Sequence, residues 1–160
     1  MLADRRIVLA VAAALVAAFA GRAAAEPKAP PLPKDYRTWM HVRSMVVTDT
    51  DHGMYGFQDV YANKLALETF RAKAPGKPFK DGAVIVASIH EVVTQDVMVK
   101  PGAQRRIAVK VKDHRATATG GWRYAVYDPA GKPVKIDTAN CQSCHVQAKD
   151  TDFVFARFAE

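Results

Sequence analysis

Ala83-Val84-Ile85-Val86-Ala87-Ser88-Ile89-His90-Glu91-Val92-Val93-Thr94 is the stretch on which the fold turns. It is rich in β-branched residues, whose side chains suit a packed, pleated surface better than a helix, so it reads as a central strand. Downstream, Ile107, Val109 and Val111 alternate with Ala108, Lys110 and Lys112, the period-two pattern of a half-buried strand. A Gly120-Gly121 turn precedes a third strand from Trp122 to Tyr127, and Asp128-Pro129-Ala130-Gly131 turns the chain again toward Val134 and Ile136. Connections this short cannot carry parallel crossovers, so three or four of these strands form an antiparallel meander.

Upstream of the meander, Gly53-Met54-Tyr55-Gly56 reads as a loop leading into a short strand, Phe57 to Tyr61. Asp35 is an N-cap for a helix through Trp39, Val42 and Met45, since Tyr36, Trp39, Met40 and Arg43 have helical spacing. A second helix follows the cap residue Asn63, carries Leu65, Leu67, Thr69 and Phe70, and ends before the breakers Pro75-Gly76 and Lys77-Pro78. A last helix starts near Thr138. The expected class is α+β: an antiparallel sheet with flanking helices, the C-terminal one carrying both cysteines.

The chain has 160 residues, 49% apolar and 24% charged, with two cysteines, which excludes a disordered or collagen-like chain, a multi-domain chain and a disulfide-dense scaffold. Residues 1–25 read as an address: Arg5 and Arg6, an apolar run from Ile7 to Ala20, then Ala23-Ala24-Ala25 as a small-residue cleavage site. The run is too short and too alanine-rich for a spanning helix, so a secreted, periplasmic chain with no membrane attachment after cleavage is expected. Removing residues 1–25 takes away Arg5, Arg6, Arg22 and Asp4 and lowers the net charge from +7 to +5. The remaining basic residues are scattered. Their densest group, Arg105, Arg106, Lys110, Lys112 and Arg115, reads as a solvated face rather than a nucleic-acid surface, and at most as a docking face for an acidic redox partner. Residues 26–34, with four prolines, read as an extended leader, leaving residues 35–160 as the domain.

Cys141-Gln142-Ser143-Cys144-His145 carries the chemistry. C-x-x-C-H is the attachment signature of a c-type haem: thiols on one helical turn reach the two porphyrin vinyl groups, and the adjacent imidazole becomes the proximal iron ligand. A thioredoxin-like redox pair would need a βαβ context, and a zinc site would need a further Cys/His pair; neither is present in the sequence. One covalently attached haem c is therefore expected, with Cys141 and Cys144 as thioether sites and His145 on the iron. Only 15 residues follow His145 and none is Met. Met40, Met45, Met54 and Met98, like His41, His52, His90 and His114, read as core or surface residues rather than as a sixth ligand, so an open distal side suited to small gaseous ligands is expected.

The helix opening Asp35-Tyr36-Arg37-x-Trp39, the Val60-Tyr61 strand, Phe79-x-Asp81-Gly82, Val111-Lys112-Asp113, Gly121-Trp122, the C-x-x-C-H run and Asp150-x-Asp152-Phe153-Val154-Phe155 together resemble the cytochrome P460 family. The likeness runs from about residue 34 to residue 158. It implies a β-sheet domain with a C-terminal haem-bearing helix, often dimeric, so that a homodimer is a candidate assembly, in the bacterial periplasm. It is shared with the β-type cytochromes c′, which bind NO at a five-coordinate haem. In the hydroxylamine-oxidising members, the resemblance implies, a lysine bonded to the porphyrin edge stands five residues beyond the glycine of Phe-x-Asp-Gly, and a distal carboxylate stands five residues before the aspartate of Val-Lys-Asp. These positions are Ala87 and Ala108 here. Alanine forms no such bond and accepts no proton, and Glu91, on the same side of an unbroken strand as Ala87, would lie about 13 Å along it. Phe57 and Phe79 are candidate caps over the space at the alanines, although both read first as core aromatics. The expected function is NO or small-ligand binding at an open iron, or one-electron transfer to an unidentified redox protein; the alternative is an oxidoreductase acting on hydroxylamine or NO without the lysine bond.

Overall fold

Six strands follow one another in a simple meander, each hydrogen-bonded antiparallel to the next. The computed structural model describes residues 28–72 and 76–158, and the signal-peptide reading of residues 1–25 lies outside them. The strands are β1 (Met40–Val47), β2 (Gly56–Ala62), β3 (Val84–Gln95), β4 (Met98–Lys112), β5 (Trp122–Tyr127) and β6 (Pro133–Val134). Helix α1 (Lys64–Arg71) connects β2 to β3, and α2 (Thr138–His145) follows β6. The expected α+β class holds for the described residues: β3 to β6 are the four strands of the expected meander, β2 is the short strand expected upstream, and β1 is an addition.

Strict alternation divides the sheet into two covered faces. One carries Val60 and Ala62 of β2, Ile85 of β3 and Trp122 and Tyr124 of β5, and packs against Ala66 of α1, Cys141 of α2 and the C-terminal residues Val154 and Ala156. We call it the helix face. The opposite face carries Val86, Ile107, Val109, Ala125 and Tyr127, covered by Tyr36, Leu32 and Trp39. The described part of the leader, residues 28–34, is thus docked on the sheet. The Tyr127 hydroxyl donates to the buried Pro30 carbonyl at 2.7 Å, and Arg123 Nη1 donates to the Lys28 carbonyl at 3.0 Å.

The helix expected after Asp35 is not formed. Tyr36–Thr38 make a single 3-10 turn, and Met40–Val47 pair with β2 as an edge strand, shifted in register between His41 and Arg43. The helical spacing of Tyr36, Trp39 and Met40 loses to the β-branched Val42, Val46 and Val47, whose pairing with β2 is a tertiary gain that local spacing cannot register. Asp35 accepts from the Trp39 indole at 3.1 Å and makes no side-chain cap. Asn63 caps α1 as expected: its Oδ1 accepts from Ala66 N at 2.9 Å and also from Val84 N at 3.0 Å, fixing the helix to the start of β3. Strand β4 begins at Met98, well before the alternating segment at residues 107–112, and carries Pro101-Gly102 within it. Register shifts on either side of His90 accommodate it, with Pro101 opposite Val92.

Both motif aspartates of the β3 and β4 approaches tie loops together. Asp81 accepts from the His114 backbone N–H at 2.8 Å and bonds the His114 ring, which holds its carboxyl below the usual range. Asp113 is buried and takes the Arg115 guanidinium in two parallel bonds of 2.9 Å, which hold its carboxyl far below the usual carboxylate range. A carboxyl depressed in the folded state contributes stability above its unfolded pKa of about 4, and that contribution is lost as the pH falls below it. Urea midpoints measured from pH 6 to pH 3 should therefore drop in the wild type, and drop less in Asp113→Asn. Parallel curves for the two proteins would show that Asp113 does not contribute to acid lability.

Candidate functional site

Asp137 starts α2 by accepting from Ala139 N at 2.9 Å. Positions three and four apart share one side of a helix, so Cys141, Cys144 and His145 project together. Both cysteines are free thiols, half-buried, and Cys141 packs on the helix-face core. Burial pushes the Cys141 thiol up, so it is held as the neutral thiol. Among the described residues, no group of three or more His, Cys, Asp or Glu is placed to hold a metal ion through side chains alone.

His145 is held by its surroundings in one protonation state and one tautomer. Its ring lies between Tyr124 and Phe155, with centroids at 5.4 and 5.2 Å. Nδ1 is 2.8 Å from the Phe153 carbonyl oxygen, which can only accept, so Nδ1 carries the hydrogen and Nε2 keeps its lone pair. Desolvation, then the nearby Lys110 charge, pulls the imidazole down to about 4, opposed by the Phe153 bond. A neutral imidazole with Nδ1–H given to a carbonyl and Nε2 free is the arrangement of a metal-ligating histidine with its outer partner in place.

A sharp reversal of the chain delivers that carbonyl. After α2 a 3-10 segment, Val146–Thr151, runs into Asp152 and Phe153, both left-handed at φ 52° and 62°. Two consecutive non-glycine residues in this region cost about 1 kcal/mol or more each, so neighbouring contacts must hold them. Asp152 supplies those contacts: Oδ1 accepts from Lys112 Nζ at 2.6 Å, Oδ2 from Phe79 N at 2.8 Å, and its carbonyl from the Trp122 indole at 2.8 Å. The Phe153 ring sits against Gly120, where φ is +65° and an added Cβ would meet ring atoms at 2.6 to 2.9 Å. The Phe153 carbonyl also accepts from Lys110 Nζ at 2.6 Å, and that ammonium stands 4.1 Å from the Trp122 ring centroid.

Lys110, Lys112, Trp122, Tyr124, Asp152 and Phe153 therefore belong to the surroundings of His145, and the sequence reading missed them in that role. The two lysines were read as part of a solvated face; both point to the covered helix face, where Lys110 is buried. The other members of that basic group are also engaged. Arg105 and Arg106 donate to the Tyr55 and Gly53 carbonyls at 2.8 Å, and Arg115 holds Asp113. A signal was available in β5, where Trp122-Arg123-Tyr124-Ala125-Val126-Tyr127 is apolar on both alternating sets apart from Arg123 at its start, the mark of a strand covered on both sides.

The register brings the two alanines together. Ala87 lies directly opposite Ala108, with Val60 beyond one and Val126 beyond the other, giving a row Val60, Ala87, Ala108, Val126 across the helix face. Lys110 is on that face, two positions from Ala108. The candidate caps part company. Phe79 is on the helix side, buried edge-on between Phe70 and Trp122 at 5.1 and 5.4 Å, whereas Phe57 pairs with His90 and faces the opposite side. Phe57 therefore does not share the space at the alanines. Glu91 is exposed and sits in the irregular stretch between His90 and Val92, where the simple period-two reading of its direction no longer holds.

A cavity of about 280 Å³ lies elsewhere, lined by Ala29, Arg115 to Thr119, Trp122, Arg123, Tyr124 and Thr138, and contains neither cysteine nor His145. Comparison with known proteins gives one family: the family model described as Cytochrome P460 matches residues 33–156, most of the chain. No curated protein matches it.

Proposed function

The chain belongs to the cytochrome P460 family, and from that premise we propose that it is an exported c-type haem protein that binds NO or a similar small ligand at an open iron site. The family implies a haem. The observation that carries the finer reading is the convergence of Cys141, Cys144 and His145 on one side of α2, with Nδ1–H committed to the Phe153 carbonyl and Nε2 free. When bound, haem c would supply a redox-active iron with a coordination position for a diatomic gas.

The chain's own residues divide the remaining work. The two thiols would hold the porphyrin covalently, and His145, its tautomer fixed by the Phe153 carbonyl, would offer Nε2 to the iron. Tyr124 and Phe155 flank the imidazole, and the Tyr124 hydroxyl donates to Gln142 Oε1 at 3.2 Å, steadying the turn between the cysteines. The row Val60, Ala87, Ala108, Val126 contains no carboxylate and no lysine. Oxidation of hydroxylamine removes protons as well as electrons, and this row offers no base to accept them. Export fits the same reading, since residues 1–25 have the signal-peptide pattern and haem c is attached outside the cytosol.

Steady-state assay of the purified holoprotein with hydroxylamine and an electron acceptor tests the choice. No turnover above free haem is expected. Sustained oxidation with release of NO or nitrous oxide would replace gas binding by the enzymatic alternative.

A further inference from the structure

We propose that Lys110 is a positioning residue for the iron site: through the Phe153 carbonyl that it shares with His145, it weakens electron donation by the proximal imidazole and raises the reduction potential. The inference rests on the haem reading above and concerns a residue that is neither an attachment cysteine nor the iron ligand of that reading.

Two N–H donors meet on one carbonyl oxygen, Lys110 Nζ at 2.6 Å and His145 Nδ1 at 2.8 Å. Their effects on His145 oppose each other. A carbonyl that accepts from Nδ1–H makes the imidazole a stronger donor at Nε2. An ammonium on the same oxygen draws its electron density away and weakens the bond to Nδ1, so the imidazole donates less. The buried positive charge acts in the same direction, because in a low-dielectric setting it disfavours the more positive ferric state.

The cost of placing Lys110 here argues that it is more than a space filler. Lys110 is 7% exposed, and desolvation pulls its ammonium down to about 7. The neighbouring carboxylate, Asp152, is already bonded to Lys112 and to Phe79 N, leaving Lys110 one carbonyl and the faces of Trp122 and Tyr124. A leucine or methionine would fill the position without burying a charge. The strand position does not demand lysine either, since its cross-strand partners are Ile85 and Tyr124.

The test compares holoprotein from wild type, Lys110→Met, Lys110→Gln and Lys110→Arg at pH 6, reading the reduction potential and the ferrous iron–histidine stretching frequency. In Lys110→Met the ferric-to-ferrous equilibrium should shift toward ferric by about tenfold, which for one electron is about 59 mV, and the stretching frequency should rise. Lys110→Gln, which keeps an N–H donor without the charge, should shift the potential in the same direction by less. Lys110→Arg should return both readouts toward wild type. Should Lys110→Met fail to accumulate, Lys110→Gln carries the comparison. Lysine variants that hold haem with wild-type potential and frequency would overturn this inference alone. A wild-type protein without covalent haem would overturn it together with the haem reading.

Discussion

Replacing Cys141 and Cys144 together with alanine should abolish the covalent haem attachment proposed above, so that the denatured protein carries no haem-stained band at its own mass. In the proposed reading each thiol would supply one bond to the porphyrin, and no other cysteine exists in the chain to substitute. The loss should not come from unfolding. Alanine has the highest helix propensity, and both positions are only half-buried on an eight-residue helix. The core on the face opposite the helices, which includes Tyr36, Val86, Val109 and Tyr127, involves neither cysteine. The sheet signature in circular dichroism should therefore persist in the haem-free double variant. Single variants should retain a fraction of the haem on one bond. Wild-type levels of covalent haem in the double variant would mean that another residue bonds the porphyrin.

Asp152→Ala should be the most destabilising single substitution near the site, at about 3–5 kcal/mol. The carboxylate and Lys112 are about 10% and 11% exposed, and breaking such a pair by removing one partner leaves an uncompensated buried charge. The substitution also leaves Phe79 N without its acceptor and puts alanine at φ 52°, a region that aspartate tolerates better. Asp152→Asn keeps the backbone preference and an acceptor for Phe79 N, so its cost should be smaller. Combining Lys112→Met with Asp152→Ala should recover part of the loss, because the orphaned charge goes too. Urea denaturation of the haem-free proteins measures all three. A cost below about 1 kcal/mol for Asp152→Ala would show that the reversal at Asp152-Phe153 is held by other contacts. The same variant bears on function, since the Phe153 carbonyl that fixes the His145 tautomer follows directly in the chain.

The meander was legible because β3 and β5 combine β-branched and aromatic residues with turn signals on either side, and α1 because Asn63 is a strong cap. Cys141, Cys144 and His145 were legible from their spacing, since a single helical turn fixes their common side. Local patterns failed where long-range pairing decides. The residues after Asp35 have helical spacing but β-branched side chains, and β2 was available to pair with them. Phe57 was placed with the alanines because strand direction was known and face was not; one step of register moves a side chain to the opposite side. The lysines of β4 mislead most. Alternation marks Lys110 and Lys112 as the polar set, and only the aromatic helix face of β5 and the returning Asp152-Phe153 segment turn that set into an interior one. The reversal depends on two left-handed non-glycine residues, for which a sequence offers no reliable sign.

Absorption spectra of the purified ferric and ferrous protein, with and without NO, test the central claim most directly. They report attachment, axial ligation and access to the iron in one experiment. A c-type haem held by Cys141 and Cys144, with His145 alone on the iron, predicts high-spin ferrous spectra and a stoichiometric change on adding NO. A haem-free protein, or low-spin spectra in both oxidation states that NO leaves unchanged, would contradict it.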